Sequence, residues 1–487
     1  MNKSSTGTYC LLTAIFILAL SVRAFNLRMN PGWYVDEGCI LNIASNLLKG
    51  RLQLFAVPYY LFPRLPLFPA VAALFIRMIG TDILAVRIPS IIFGSATGLI
   101  LYMAAKELYG RAAGFLAFFL LAVYPFAILS SKFGSPFNLM AFLGILAYYL
   151  CLRYLKERKT AWLIAASLAA GAAALTELFG LAIVAALLFT VLLTDRRRLP
   201  AAALISISLP AAFFIIMSLA FRDAFFSQVS NFVILRIINP NPLYKTIGIR
   251  GLVNIRELVG GFFATITYGG LWTVLGSAGI IFLGRSREEK ILSISVFSLL
   301  LFSVLLAFGG SSGRFVIVLI PFMILGISAI ASRIRTAPAL ALAAILIASS
   351  AGDYPNIVNY MSRHVVMYPK DAVSAAEYLN GNIAGDGFVI TLAELSWLVN
   401  AEVAEPIDVA AYMNRSLSFP FREIYPRGKF SFDASLNNAE YAMLNRFVSG
   451  FYSFFPGVVE IELEIRKTWK EDYLNGSYVV YRNPRRI

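Results

Sequence analysis

The sequence predicts a polytopic α-helical membrane protein that carries a small α/β domain at its C-terminal end. Of its 487 residues, 59% are apolar and only 14% are charged, whereas soluble domains average about 45–50% and about 25%. The apolar residues recur in runs long enough to cross a bilayer as helices. After the last run, residues 353–487 show mixed helix and strand patterns. We therefore expect a membrane domain at 1–352 and a separate, soluble domain at 353–487.

The overall charge and the scarcity of cysteine and histidine exclude several classes of protein. A net charge of +15 would suit a nucleic-acid-binding protein, but here the basic residues lie between apolar runs. The three cysteines, Cys10, Cys39 and Cys151, show no spacing typical of a disulfide framework. His364 is the single histidine and follows the last apolar run, which excludes a histidine-ligated zinc site or a Ser–His triad within the membrane.

Eleven apolar runs are predicted to cross the membrane. The first lacks a small-residue cleavage site after it, so we interpret it as a retained span rather than a signal peptide. A further run at 66–80 is short and is interrupted by Pro69 and Arg77, so we expect it to form a helix in the membrane interface. The predicted spans are 9–26, 87–105, 113–130, 138–152, 161–175, 178–194, 199–220, 261–284, 291–308, 315–332 and 337–352.

The basic residues between the spans set their orientation. If 66–80 does not cross, fifteen basic residues fall in short connections on one side, which is the pattern of a cytoplasmic face. They are Lys3, Lys106, Arg111, Arg153, Lys156, Arg158, Lys159, Arg196, Arg197, Arg198, Arg285, Arg287, Lys290, Arg333 and Arg335. The N-terminus is then inside, whereas the loops 27–86 and 221–260 and the tail 353–487 are outside. Loops of this length usually carry function.

The tail contains signals for both helices and strands. Asp371 is placed to cap a helix predicted at 372–380. Residues 387–391 are predicted to form a buried strand and residues 477–482 a closing strand. Residues 460–465 alternate between acidic and apolar with a period of two, which predicts another strand.

The outer side of the membrane domain keeps an unexpected excess of positive charge. The tail has a net charge of −3, but the outer loops and span ends of the membrane domain sum to about +8, where the positive-inside rule predicts a deficit. Arginines at span ends, such as Arg23 and Arg87, explain part of the excess because their side chains can reach the headgroups. The remainder, which includes Lys49, Arg64 and Lys132, suits a site that holds a phosphate at the outer leaflet.

Two adjacent acids, Asp36 and Glu37, follow the first span. A carboxylate at the bilayer surface can act as a general base on an acceptor hydroxyl or amine. The alternative is structural: Asp36 would cap a short helix predicted at 39–48 by accepting hydrogen bonds from its first N–H groups. The pair by itself leaves both interpretations open.

Six motifs then follow one another in the first part of the chain. They are Asp36-Glu37, Leu47–Gly50, Pro66–Phe68, Arg87–Ser90, Leu108–Gly114 and Tyr124–Phe133. In order and spacing they resemble the GT-C glycosyltransferases that use polyprenyl-phosphate sugars, a group that contains protein O-mannosyltransferases and lipid A aminoarabinose transferases. The resemblance covers most of residues 9–200 and recurs at Ser312–Phe315 and in the tail. Each motif is degenerate, and the order of the set is what is specific.

The resemblance implies roles for individual residues. It makes Asp36 the catalytic carboxylate with Glu37 as its neighbour, and it makes Arg314 a ligand of the lipid-linked phosphate. An arginine beside a glycine-rich segment at a span boundary also suits phosphate on physical grounds, because its planar fork matches two phosphate oxygens; ordinary anchoring in the interface is the alternative.

The sequence departs from the family pattern in the second outer loop. Many relatives carry another acid there, whereas this chain reads Lys132 to Asn138 without a carboxylate. A divalent metal is therefore a doubtful cofactor, since Mg²⁺ and Mn²⁺ prefer carboxylate oxygens. Lys132 would offer a fixed cation instead, and Asn138 would either bind substrate or cap the next span. Glu177, at an outer turn, is either a substrate-binding residue or a solvated one.

Together these observations predict a membrane glycosyltransferase. It would move a monosaccharide from a polyprenyl-phosphate donor to a glycolipid, glycan or protein acceptor at the outer face of a prokaryotic cytoplasmic membrane. One carboxylate base implies direct displacement with inversion. A lipid transporter remains an alternative, although no inverted repeat is visible, and so does a non-catalytic assembly subunit of the same fold. No nucleic-acid partner is expected.

Overall fold

The computed structural model describes most of the chain. The described residues are 3–58, 65–222, 225–226, 270–282, 284–308, 316–334, 337–349, 365–366, 369–384, 387–417, 425, 429–446 and 455–486. Within them the chain is mainly helical and ends in a small sheet domain, which confirms the predicted fold class.

The first part of the chain is almost entirely helical. Its helices are α1 Lys3–Ala24, α2 Val35–Leu48, α3 Leu67–Ile79, α4 Leu84–Tyr109, α5 Arg111–Val123, α6 Pro125–Lys132, α7 Pro136–Glu157, α8 Thr160–Thr176, α9 Gly180–Thr194, α10 Leu199–Ala220, α11 Gly270–Ile280, α12 Arg287–Phe308, α13 Ile320–Ala331 and α14 Ala337–Ser349. A helix overlaps each predicted span. By length and composition four described helices can cross a membrane, or five if one bent pair counts as a span, so the number eleven stays a prediction.

The bent pair is α5 and α6, whose axes differ by 57°. The break falls at Tyr124, directly before Pro125, which has no backbone N–H to continue the helix. Arg23 of α1 lies against this break and is fully buried. Its guanidinium donates to the carbonyl oxygens of Leu121 at 2.9 Å and Ala122 at 3.3 Å. The interpretation of Arg23 as a headgroup anchor is therefore wrong, because the carbonyls freed at the end of α5 hold its side chain inside the protein.

The helix at 66–80 exists, and apolar side chains lie on both its buried and its exposed face. Phe68, Ala72 and Ile76 of α3 are buried, whereas Leu74 and Met78 are largely exposed. Its buried face packs on α2, and between these helices β2 Gln53–Leu54 and β3 Val57–Pro58 form a short hairpin. A helix this short, with one face on the protein and apolar side chains exposed on the other, can lie against the membrane, and its interfacial position stays a prediction.

The tail folds around a five-stranded sheet. Its strands are β5 Phe388–Thr391, β6 Glu402–Ala404, β7 Ala439–Asn445, β8 Lys470–Asn475 and β9 Tyr478–Arg482, in the order β6-β5-β7-β9-β8. Strand β5 is parallel to both neighbours, and β9 is antiparallel to β7 and β8. The helices of the tail are α15 Pro369–Asn382, α16 Pro406–Tyr412 and α17 Pro456–Thr468. The predicted helix at 372–380 and the strands at 387–391 and 477–482 are thus present. The helix begins at Pro369, so Asp371 lies in its first turn and the prediction that it caps the helix is wrong.

The strand predicted at 460–465 is wrong, because these residues lie within helix α17. The alternation was ambiguous: Ile461 and Ile465 are four apart and both are fully buried, whereas Leu463 between them is 45% exposed. Val458 is buried on the same face. A spacing of three and four residues is the helical period, and it becomes visible only in a longer window.

The tail and the first outer loop share one hydrophobic core. Trp33, Phe55 and Phe68 of the loop belong to the same buried cluster as Ile390 and Val480 of the tail sheet. In addition, β1 Trp33–Tyr34 pairs antiparallel with β4 Val365–Val366. The two segments therefore pack as one body, although the boundary drawn between 352 and 353 itself stays a prediction.

Candidate active site

The centre of the site is a buried ion pair between α2 and α4. The Arg87 guanidinium binds the Glu37 carboxylate through two parallel hydrogen bonds, Nε to Oε1 and Nη2 to Oε2, each 2.7 Å long. Both side chains are fully buried. Arg87 also donates to the carbonyl oxygens of Leu27 at 2.7 Å and of Gly32. Arg87 therefore does not reach the headgroups as the sequence analysis allowed, because a buried carboxylate and two loop carbonyls hold it.

Two backbone groups complete the environment of Glu37. Its Oε2 accepts from the N–H of Tyr34 at 3.0 Å, and its Oε1 accepts from the N–H of Gly134 at 2.7 Å. With Arg87, the carboxylate thus accepts four hydrogen bonds, which is about its full capacity. Gly134 must be glycine here, since a Cβ at this position would overlap Val86. The ion pair consequently joins the first outer loop, the start of α4 and the second outer loop.

Asp36 has different surroundings from Glu37, although the two are adjacent. It lies in the first turn of α2 and its side chain is half-buried rather than enclosed. The helix begins after Tyr34, and the acid that bonds back to the Tyr34 N–H is Glu37. The interpretation of Asp36 as the helix cap is therefore wrong. The positive end of the helix dipole stabilises a negative charge at this place.

The second outer loop is fastened to α4 by polar groups. The Asn138 amide donates to the Ser130 carbonyl at 3.1 Å and to the Ser90 hydroxyl at 3.3 Å, and Asn138 is buried. The cap of α7 is Ser135, whose hydroxyl accepts from the Phe137 N–H. Asn138 is therefore not the helix cap that the sequence analysis allowed; it connects the loop to the Arg87–Ser90 motif.

Lys132 is buried at the end of α6, close to the same ion pair. Its ammonium donates to the Phe25 carbonyl at 2.7 Å, at the end of α1, and it lies 6.0 Å from the centre of the Phe25 ring. A lysine ammonium carries three donors. This contact therefore occupies one of them and fixes the cation between α1 and α6.

The remaining predicted site residues lie farther away or outside the described residues. Lys49 is exposed at the opposite end of α2 from Asp36, which at 1.5 Å per residue separates them by about 20 Å. Glu177 is half-buried between α8 and α9, and its carboxylate accepts from the Leu178 N–H at 3.0 Å. Arg64 and Arg314 lie outside the described residues. The structure thus brings Glu37, Lys132 and Asn138 around one junction beside Asp36.

A segment of the tail covers α2 next to Asp36. The 3₁₀ helix Ala393–Leu398 approaches Gly38 so closely that a Cβ there would overlap the Ala393 carbonyl. The Trp397 ring meets Trp33 edge-on, with centroids 5.0 Å apart. Sequence reasoning missed this contact. Gly38 directly after the acids was the available signal, since a glycine inside a helix allows a close backbone approach.

Asp408 and Glu394, in the tail beside this junction, are buried without a basic partner among the residues that the structure describes. Asp408 accepts from the N–H of Ala56 at 3.3 Å and from the Tyr425 hydroxyl at 3.0 Å. Burial raises its pKa to about 6, against the hydrogen bonds that lower it. Burial likewise raises the pKa of Glu394 to about 7, and one of its carboxylate oxygens has no hydrogen-bond partner.

Across the described ranges, no group of three His, Cys, Asp or Glu side chains is arranged to hold a metal ion. The acids of the site are divided between separate surroundings: Glu37 is bound to Arg87, and Glu394 and Asp408 lie in the tail. At the junction itself, the chemical groups are therefore the half-buried Asp36 carboxylate and the cations of Arg87 and Lys132 beside Glu37.

The segment that carries part of this site resembles a known protein family. The family model described as dolichyl-phosphate-mannose-protein mannosyltransferase matches residues 63–221. This segment contains Arg87 and the second outer loop. No curated protein sequence matches the chain.

Solved structures match nearly the whole chain. ArnT from Cupriavidus metallidurans bound to undecaprenyl phosphate aligns with a TM-score of 0.62 and 15% identity, over 98% of both chains. The archaeal oligosaccharyltransferase AglB from Archaeoglobus fulgidus, in complex with an inhibitory peptide and a dolichol-phosphate, aligns with a TM-score of 0.60 and 14% identity, over 99% of this chain and 75% of AglB. The resemblance seen in the sequence is confirmed at the level of the fold: the chain has the fold of the GT-C glycosyltransferases.

Proposed function

We propose that the protein transfers a monosaccharide from a polyprenyl-phosphate donor to an acceptor at the outer face of the membrane. This proposal rests on the different surroundings of two adjacent acids. Glu37 is fully bound and buried, whereas Asp36 is half-buried in the first turn of the same helix. Similar structures hold undecaprenyl phosphate or dolichol-phosphate, which supports a lipid-phosphate donor.

In this mechanism Asp36 removes the proton from the acceptor hydroxyl or amine. The acceptor atom then attacks the anomeric carbon, the bond from that carbon to the phosphate oxygen breaks, and polyprenyl phosphate leaves with the electron pair. One base and one displacement give inversion at the anomeric carbon. Because the leaving group is a phosphate, cations can stabilise its charge in place of a general acid.

Glu37 has a positioning role in this proposal and not a catalytic one. A carboxylate that already accepts four hydrogen bonds has no lone pair left for a substrate proton. Instead, the Glu37–Arg87 pair fixes the first turn of α2 and thereby the direction of Asp36. Lys132 and Arg314 are proposed to hold the donor phosphate, with Arg64, Asn138 and Glu177 as further substrate-binding candidates.

The test is Asp36→Asn in the purified full-length protein, with polyprenyl-phosphate-linked radiolabelled sugars and release of polyprenyl phosphate as readout. Loss of a general base predicts a fall of roughly 100- to 10,000-fold with donor binding retained. Asp82→Asn is the matched control, because Asp82 is also an outer, half-buried aspartate but pairs with Arg28 at 2.7 Å. It should keep its rate within a few-fold.

The same assay separates the other classes of function. Full activity in Asp36→Asn would remove Asp36 from the base role while leaving an enzyme. A wild-type protein that releases no polyprenyl phosphate from any donor, yet moves lipid-linked sugar between leaflets of a vesicle, would be a transporter. Failure in both assays would favour a non-catalytic assembly subunit.

A further inference from the structure

A groove lies between α9 and α12, at the end of the membrane domain that carries the short basic loops. It encloses about 440 Å³ and is lined by Phe189, Arg287, Lys290, Ile291, Ile294 and Ser295. Contacts made by the first turn of α12 establish where the groove lies. There Glu288 pairs with Arg158 and Glu289 lies 3.6 Å from Lys156, both at the end of α7. The groove is therefore far in sequence from α2, and none of its lining residues belongs to the proposed active site.

The acidic and basic side chains of this turn lie on different sides of α12. The two acids face α7, where Glu289 also accepts from the backbone N–H groups of Arg285 and Ser286. Arg287 and Lys290 are exposed and line the groove, and neither has an acidic partner among the residues that the structure describes. Two cations thus remain uncompensated at one place, and the positive end of the helix dipole adds to them.

The apolar lining continues from these cations toward the membrane interior. Arg287, Lys290, Ile291 and Ile294 are separated by three or four residues and so share one face of the helix. Ile294 lies seven residues, or about 10 Å, beyond Arg287 along the axis. Ile294 is 47% exposed and Phe189 of α9 is 48% exposed. The groove therefore has a cationic end and an apolar end, in the order in which a phospholipid presents its headgroup and acyl chain.

We infer that this groove binds an anionic phospholipid, with the headgroup phosphate at Arg287 and Lys290 and an acyl chain along Ile291, Ile294 and Phe189. The arginine fork matches two phosphate oxygens, and the lysine supplies a second positive charge. Under the predicted orientation the lipid belongs to the inner leaflet, where basic pockets between spans meet anionic headgroups. The inference does not depend on the proposed transferase activity.

The test measures lipid binding to the intact full-length protein by native mass spectrometry. The protein is placed in micelles that contain equal amounts of phosphatidylglycerol and phosphatidylcholine. We expect wild type to retain phosphatidylglycerol preferentially, and Arg287→Gln/Lys290→Gln to weaken this binding by roughly 30-fold, since each basic residue near an anionic surface contributes about fivefold. Ile294→Asn should weaken it as well, because the acyl chain loses apolar contact.

The matched control is Arg196→Gln/Arg197→Gln, which removes two exposed basic residues from another short loop of the same predicted face. It should leave phosphatidylglycerol binding unchanged. Equal losses in both double variants would overturn the site, because they would reflect the general charge of the face. Competition by soluble glycerophosphate as strong as by the lipid would replace the phospholipid with a free phosphate ligand and also overturn the inference. Wild type without lipid preference, but with a dimer that Arg287→Gln/Lys290→Gln dissociates, would assign the groove to a second copy instead.

Discussion

The first outer loop is held at two junctions, and they use carboxyl groups in opposite ways. At the junction with the membrane domain, Glu37 is buried opposite Arg87 and accepts four hydrogen bonds. At the junction with the tail, Asp408 and Glu394 are buried without a basic partner in the described chain, and their pKa values rise to about 6 and about 7. We call the buried Glu37–Arg87 pair at the first junction the ionic lock, because its charges compensate each other. The stability of the second junction depends instead on protonation.

The difference between the two junctions shows which part of the site is held rigidly and which part depends on protonation. The ionic lock joins three segments at the turn that carries Asp36, so it sets the direction of the proposed base. The tail junction covers the same helix at Gly38 and packs against Trp33 just before it. Changes at the first junction should therefore damage folding and activity together, whereas changes at the second should modulate how firmly the tail covers the site.

The largest effect is expected from breaking the ionic lock. Arg87→Met leaves the Glu37 carboxylate buried without a cation, which costs about 3–5 kcal/mol of stability. The measurement is the apparent Tm of the purified protein in detergent. Arg28→Met serves as the control because the Arg28–Asp82 pair is partly exposed. A Tm of Arg87→Met equal to that of Arg28→Met would contradict the lock.

The next effect is a dependence of the tail junction on pH. Because burial raises the pKa values of Asp408 and Glu394, the folded state binds more protons than the unfolded state between about pH 4 and pH 7. Stability should therefore fall as pH rises through this window and level off above it, with each protonated carboxyl contributing about 1.4 kcal/mol per unit of its pKa shift at most. Tryptophan fluorescence on thermal unfolding at a series of pH values measures this trend.

The pH trend has its own control. Asp408→Asn/Glu394→Gln removes both titrating groups while keeping similar shapes, so its Tm should vary much less between pH 5 and pH 8 than that of wild type. If the double variant keeps the full slope, other groups cause the pH dependence and the contrast between the junctions fails.

A smaller effect is expected where the tail touches α2. Gly38→Ala forces its Cβ into the Ala393 carbonyl, and overpacking of this kind costs about 1–3 kcal/mol. Limited proteolysis should then cut the tail faster than in wild type. Gly381→Ala is the control because a Cβ there meets no atom within 4 Å. Equal proteolysis of the two variants would mean that the close approach is not needed.

The smallest effect is expected from the exposed ion pair at the same junction. Arg51 lies 2.7 Å from Glu402, but their side chains are 52% and 43% exposed. Exposed pairs of this kind contribute at most about 1 kcal/mol. Arg51→Ala should lower the Tm only slightly, and the change should vanish in high salt. A large loss would place the strength of the tail junction in this pair and not in the buried contacts.

Much of the fold was predictable because it depends on properties that are local in sequence. Apolar runs gave the positions of the helices, and the short, interrupted run at 66–80 gave α3. The wrongly predicted strand at 460–465 has a local cause too. Ile461 and Ile465 fit both the period of a strand and the spacing of a helix, so a window of six residues cannot separate the two. Helix α17 required Val458, outside that window.

The candidate site was only partly predictable. Asp36 and Glu37 were identified together, and only the family resemblance, not their local sequence, assigned them different roles. Arg87 and Arg23 were interpreted as headgroup anchors because an arginine at a span end is ordinary, and nothing near either residue in sequence reveals a partner. Glu37 lies fifty residues from Arg87, and Gly134 lies ninety-seven from Glu37.

The sequence by itself therefore determined the membrane class, the helix positions and the pair of acids that begins α2, because hydrophobic runs and adjacent residues are local features. The tertiary structure alone decided that Glu37 is bound while Asp36 is not enclosed, that the tail covers α2, and that Arg287 and Lys290 face a groove. Each of these depends on which distant segments meet, and the free energy of a buried charge is set by those neighbours and not by its position in the chain.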